Sequence, residues 1–172
     1  MKLEEIKVVL FDENALKKLH KKSLVAQIIA FVVFCAVLAF PTENFLINVY
    51  LRNFGIIAGI IFLAQLASFA AIKTLNKNSK FANYFSINVP LAVMSLVVLA
   101  PAGIISYLIS STALKTSVIM LVFSLVPFYH FVFFGWCNEE LSGLKKFKGI
   151  LIATVSMIIY FFANYLIGFL TA

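Results

Sequence analysis

Five apolar stretches, at 23–40, 54–72, 85–110, 117–136 and 150–170, contain no Asp, Glu, Lys or Arg. About 20 residues of helix cross the hydrocarbon core of a bilayer. Backbone at that depth must satisfy its own hydrogen bonds, which leaves the helix as the natural element for runs of this length. The sequence therefore predicts an all-α integral membrane protein: a bundle of five transmembrane helices over 23–172, preceded by a short amphipathic helix within 1–22. An apolar fraction of 63% and a mean hydropathy of +1.04 exceed what a soluble domain of 172 residues can bury. Outside the five stretches no segment is long enough for a second core, so one membrane domain is the expected organisation.

Charge sets the orientation. Cytoplasmic loops carry an excess of Lys and Arg. Twelve of the fourteen cations fall on one side: six before residue 23, then Lys73, Lys77 and Lys80, then Lys145, Lys146 and Lys148. Only Arg52 and Lys115 fall on the other. The N-terminus is expected in the cytoplasm and the C-terminus outside. The net charge of +7 thus reads as a topology signal and an attraction to anionic lipid rather than to nucleic acid. The first stretch reads as a retained signal-anchor, its apolar run being longer than that of a cleavable leader. Cys35, within the first stretch, and Cys137, at the end of the fourth, read as free thiols, Cys137 being reachable from the cytoplasm.

Before the first stretch, Asp12 is placed to cap a helix and Glu13 lies in its first turn. Ala15, Leu16 and Leu19 form an apolar stripe, with Lys17, Lys18, Lys21 and Lys22 on the other face. That pattern predicts an interfacial helix lying on the inner leaflet; a solvated basic lead-in is the plainer alternative.

Within the stretches, Gly55 and Gly59 form a GxxxG continued by Leu63, Ala67 and Ala71, read here as an intramolecular packing face. Pro90 and Pro101 each delete a helix hydrogen bond, so the third stretch is expected to bend at Pro101. Its Ser95 and Ser106 are expected to face protein. In the fourth stretch, Pro127 precedes Tyr129 and His130, then Phe131, Phe133, Phe134 and Trp136, an aromatic belt at the inner interface. His130 lies about 9 Å before the end of its stretch at 1.5 Å per residue. It reads either as a ligand or proton-handling group or, preferably, as a neutral histidine bonded to a carbonyl. Tyr160 and Asn164 share a face of the fifth stretch, where interhelical hydrogen bonds are expected. Ser95, Ser106, Tyr129, His130, Tyr160 and Asn164 together form the candidate polar intramembrane cluster.

Ion-coupled pumps and intramembrane enzymes place ionisable groups at depth, at an insertion cost of about 2.5–3.5 kcal/mol each. This chain has none there but His130. It also lacks a Gly-rich phosphate loop, a metal-spaced His/Cys/Asp/Glu group and a paired-carboxylate site. No catalytic, cofactor-binding or metal-binding residue is assigned, and a non-enzymatic role is expected.

Three places resemble the Yip family, five-span membrane proteins named for interaction with Ypt/Rab-type GTPases. Val9-Leu10-Phe11 followed by Ala15-Leu16-Lys17-Lys18-Leu19 is similar to the short helix before the first span of prokaryotic members. Ser86-Ile87-Asn88-Val89-Pro90 resembles the family's polar-then-Pro start of span 3. Gly135-Trp136 into Leu141-Ser142-Gly143-Leu144-Lys145-Lys146 resembles its loop between spans 4 and 5. The acidic-aromatic Gly-Pro motif of the long eukaryotic N-terminus has no counterpart, so GTPase binding is not carried over. The resemblance implies a compact, prokaryotic-type plasma-membrane protein concerned with membrane organisation or partner binding.

These features together predict a non-enzymatic membrane protein that works through its cytoplasmic face, at Lys17, Lys18, Lys21, Lys22, Lys77, Lys80, Trp136, Lys145 and Lys146. Its partners would be anionic lipid, another protein or a second copy. The alternative is a small transporter or channel subunit for a neutral or weakly polar solute, with a pathway past Ser95, Ser106, Tyr129, His130 and Asn164.

Overall fold

The structure is a computed structural model that describes residues 3–40, 46–109, 112–144 and 146–171. The described residues form helices and no strands. Helix α1 is Leu3–Lys7, followed by a 3-10 turn at Val8–Leu10; α2 is Glu13–His20 and α3 Leu24–Leu38. Helix α4 is Ile47–Leu75, α5 Phe81–Phe85 and α6 Asn88–Met94. A π turn at Ser95–Leu99 leads into α7, Ala100–Leu108; α8 is Thr112–Ser142 and α9 Lys146–Thr171.

Among the described residues three helical stretches are long and apolar enough to cross a membrane: Ile47–Leu75, Phe81–Ile105 and Lys148–Leu170. A fourth follows if Glu13–His20 and Leu24–Leu38, bent by 112°, count as one. Helix α3 has only 15 residues, about 22 Å of helix against a core of about 30 Å. Helix α8 has 31 residues.

Successive long helices run in opposite directions. Phe31 of α3 meets Phe62 of α4, while further along α3 the carbonyl of Ala36 accepts from Tyr50, near the start of α4. Gly135 and Glu139 on α8 lie against Ala153 and Gly149 on α9. A Cβ on Gly135 would sit 3.2 Å from that of Ala153, so a glycine there sets how closely the two helices approach. Reversal places at one end of the bundle the N-terminal segment, the α4–α5 connection with Lys73, Lys77 and Lys80, the end of α8 and the start of α9.

The connection after α8 is shorter than the sequence implied. Helix α8 runs to Ser142, Gly143 adopts the left-handed conformation (φ +62°) that ends helices, and α9 begins at Lys146. Most of the expected connection between the fourth and fifth stretches is therefore helix, and Asn138 within it is fully buried.

Two expectations about small and ring residues also change. Gly55 and Gly59 are exposed, with nothing within 4 Å of a Cβ built on either. The GxxxG therefore faces outward rather than serving packing within the chain. The packed face of α4 is instead Ile57, Ile61, Ala64, Gln65, Ser68 and Ile72. At Pro101 the helix adjusts one turn earlier: the Ala100 N–H donates to the Ser95 carbonyl, closing the π turn. A proline ring clashes with the carbonyl four residues before it, and the wider turn relieves that. Ser95 is fully buried and donates to the Leu91 carbonyl at 2.9 Å. The side chain of Ser106 lies outside the described residues.

Candidate functional site

The N-terminal segment is a lid packed on one end of the bundle. Asp12 caps α2 as its position indicated, accepting from the backbone N–H groups of Asn14 (2.9 Å) and Ala15 (3.1 Å). Ala15, Leu16 and Leu19, however, do not face lipid. They are buried with Val8 and Val9 in the same apolar core as Phe133, Phe134 and Cys137 of α8 and Leu91 and Met94 of α6. The interfacial reading of α2 is thus corrected: its apolar stripe is consumed by protein. Burying a side chain such as Leu16 is worth about 1.5–3 kcal/mol, and no pull from lipid is needed to hold the helix flat.

Phe11 turns the chain between the 3-10 turn and α2 in the left-handed region (φ 61°, ψ 34°), which is costly for a residue with a side chain. Its ring offsets that by packing edge-on against Tyr129, Phe133 and Trp136, with centroids 5.7, 5.8 and 5.1 Å away. The Tyr129 hydroxyl donates to the Val9 carbonyl. The aromatic run of the fourth stretch is thus the seat of the lid.

His20 closes the lid's other end. Ser86 donates its hydroxyl hydrogen to the Asn83 carbonyl (2.6 Å), so its oxygen accepts from His20 Nδ1–H, also at 2.6 Å. Partial burial pushes the His20 pKa below its ordinary value.

The outer face of the lid is charged. Lys18 pairs with Glu4 at 2.9 Å, Lys22 with Glu5 at 2.7 Å, and Lys17 with Glu13 one turn before it. Glu4, Glu5, Lys18 and Lys22 line a notch of about 250 Å³ between α1 and α2. The Glu13 carboxyl is held below its usual range chiefly by Lys17, and Lys17 and Lys18 are raised by their glutamates. Lys17, Lys18 and Lys22 are therefore engaged with acids, while Lys21, Lys77 and Lys80 are exposed. By sequence this end carries twelve of fourteen cations and six of seven acids, so a clear positive surplus survives. Trp136 is half-buried under Phe11 rather than presented to a partner. Lys145 and the side chain of Lys146 lie outside the described residues. Cys137, like Cys35, is fully buried, so the expectation that it reacts from the cytoplasm is corrected.

The candidate polar cluster does not assemble as one group. Ser95 bonds within its own helix and Tyr129 faces the lid. His130 stacks on Phe134 with centroids 6.3 Å apart. The side chain of Asn164 lies outside the described residues. Tyr160 alone joins a polar centre, one made of residues the sequence reading passed over. Gln65 of α4 and Asn88 of α6 pair through their carboxamides: Gln65 donates to Asn88, and Asn88 returns a bond to Gln65 at 3.4 Å. Beside them lie Ser68, Tyr84, Ser156 and Tyr160. An inventory of amides within the apolar stretches, which contain only Gln27, Gln65, Asn88 and Asn164, would have flagged the pair. Among the described residues no group of three His, Cys, Asp or Glu is placed to hold a metal ion.

Comparisons with family models, with curated proteins and with solved structures find no match to this chain.

Proposed function

We propose that the chain is a five-span, N-in and C-out membrane protein with no enzymatic activity, whose lid and adjoining basic residues form a docking face for anionic lipid or a protein partner at the cytoplasmic surface. The observation that carries this is the convergence at one end. The lid, Lys77, Lys80 and the α8–α9 turn share that end, and the lid's polar face points outward while its apolar face is spent on the bundle. The stretches that resemble the Yip family lie close together there: Phe11 packs on Trp136, and Ser86 is bonded to His20, the residue after Leu19. That meeting supports a Yip-like reading. Five spans require α3 to cross despite its 15 residues, which local thinning of the bilayer accommodates at modest cost.

Single cysteines test the arrangement, in a background where the buried Cys35 and Cys137 are replaced by Ala. An impermeant maleimide should label Asn48→Cys in intact cells. Lys21→Cys and Asn78→Cys should label only after lysis. Labelling of Lys21→Cys in sealed cells sinks the orientation and, with it, the cytoplasmic docking face. Docking itself is read in lipid nanodiscs: anionic headgroups should slow hydrogen exchange over residues 3–20 relative to zwitterionic ones, and equal exchange in both removes anionic lipid as a partner.

A further inference from the structure

Two leucines of the lid are left uncovered by protein: Leu3 is 72% and Leu10 76% exposed. They share one face. Residues four apart stand above one another in an α-helix, and residues three apart do so in a 3-10 turn. Leu3 and Lys7 are the two ends of α1, and Leu10 ends the 3-10 turn that follows Lys7. Lys7 is exposed as well, so the face reads Leu, Lys, Leu. The other sides of the segment are taken. Val8 and Val9 are buried in the core, while Glu4 and Glu5 pair with Lys18 and Lys22.

The seat of this segment on α8 sets its height. Val9 and Phe11, on either side of Leu10, both hold Tyr129, and Phe11 also packs on Phe133 and Trp136. All three of these α8 residues lie inside the fourth apolar stretch. Tyr129 stands seven residues before its end at Trp136, about 10 Å of helix. At the same height the neighbouring ridge of α8, Leu125, Phe128 and Val132, is exposed. On the membrane reading proposed above, that ridge faces lipid, and Leu10 looks out at the same level.

We infer that residues 3–10 are an edge of the lid inserted into the inner leaflet, with Leu3 and Leu10 against acyl chains and Lys7 reaching a headgroup phosphate. An amphipathic face that lies in a membrane surface is buried about 5–10 Å into the boundary between headgroups and chains, which matches the height of Tyr129. The leucines gain free energy there by leaving water. The stem of Lys7 lies along them while its ammonium stays among the phosphates, whose charge complements it. The apolar stripe of α2 is spent on protein, so the face of the lid that meets lipid is this one. The inference rests on the membrane reading but not on what the basic outer face of α2 binds.

Single spin labels on the full chain in lipid nanodiscs test it, with Cys35 and Cys137 replaced by Ala. A nitroxide on Leu3→Cys or Leu10→Cys should be relaxed more by oxygen, which concentrates among acyl chains, than by a water-soluble nickel complex. Labels on Asn14→Cys and Lys21→Cys, both exposed, should show the reverse. Val32→Cys, exposed on α3, is the control for the membrane reading and should behave as lipid-facing. If Val32 is lipid-facing while both leucine positions are in water, the inference fails and the membrane reading stands. If all three are in water, both fail. Leu3→Gln combined with Leu10→Gln keeps good helix formers in place, at positions that protein leaves mostly uncovered. It should still quicken exchange over residues 3–10 in nanodiscs about tenfold, the least that moving one leucine out of lipid into water is worth. Residues 13–20 should be unaffected. Exchange over residues 3–10 equal to that of the original chain overturns the proposal as well.

Discussion

The lid and the seam between α4, α5, α6 and α9 are both buried, but different forces hold them. On the membrane reading proposed above, the lid has water on its outer side. Val8, Leu16 and Leu19 gain free energy there simply by leaving water, and the charged residues are left outward. The seam, on that same reading, is surrounded by lipid, in which an apolar side chain is as comfortable as in protein. Helices there associate through close packing and through polar groups that have nowhere else to bond. Accordingly the lid is apolar inside and charged outside. The α4–α9 seam carries Gln65, Ser68, Ser156 and Tyr160 on its inner side, while Leu63, Phe161 and Phe162 face outward. On that reading the same residue types take opposite positions because the solvent differs.

The sharpest way to break this contrast is Leu16→Ala. Removing a fully buried leucine should cost the lid about 2–5 kcal/mol. Proteolysis and hydrogen exchange over residues 3–20 should rise steeply while the long helices stay folded. Loss of the whole fold would mean that lid and seam are one unit.

Asn88→Leu probes the other side. It leaves the Gln65 amide buried without its partner, at about 1–3 kcal/mol, and should lower the thermal aggregation temperature in detergent without loosening the lid. Gln65→Leu combined with Asn88→Leu removes both partners and should recover most of the loss. A double variant as poor as the single would show that the site needs an amide for another reason.

Acid should act on the lid alone. Burial holds the folded-state pKa of His20 below its unfolded value. The unfolded lid therefore binds the proton more readily, and stability is full above about pH 6.5 and declines as pH falls through that range. Exchange over residues 3–20 should quicken a few-fold between neutral pH and pH 5 after correction for intrinsic rates. His20→Gln, which keeps a donor toward Ser86, should flatten that dependence.

The smallest effect is expected from replacing Lys17, Lys18, Lys21 and Lys22 together with Gln. Exposed ion pairs contribute little to stability, so exchange in the lid should change far less than in Leu16→Ala. A quadruple variant that frees the lid as completely as Leu16→Ala would overturn the view that apolar burial holds it.

Several elements were legible because their causes are local. The Asp12 cap depends on the next three residues. The long helices follow from runs of apolar residues that a chain of this length cannot otherwise hide. Pro101 announced a disturbance in its helix, although the π turn that absorbs it lies just before the proline. What could not be read were the partners. Tyr129 looked like a group lining the membrane interior, yet it serves the lid because Val9 lies 120 residues away in sequence and beside it in space. The GxxxG looked like a packing face, but a small residue is tolerated against lipid as well as against a helix, and only the neighbours decide which. The amphipathic stripe of α2 fits a bilayer surface and a protein surface equally well. The sequence by itself determined where the long apolar helices run and which residues are apolar or charged, because those properties belong to residues and their near neighbours. Only the tertiary structure decided that α2 closes on the bundle and that Gln65, Asn88, Ser68, Tyr84 and Ser156 meet. Those facts depend on which helix faces turn toward one another, and no local pattern encodes that.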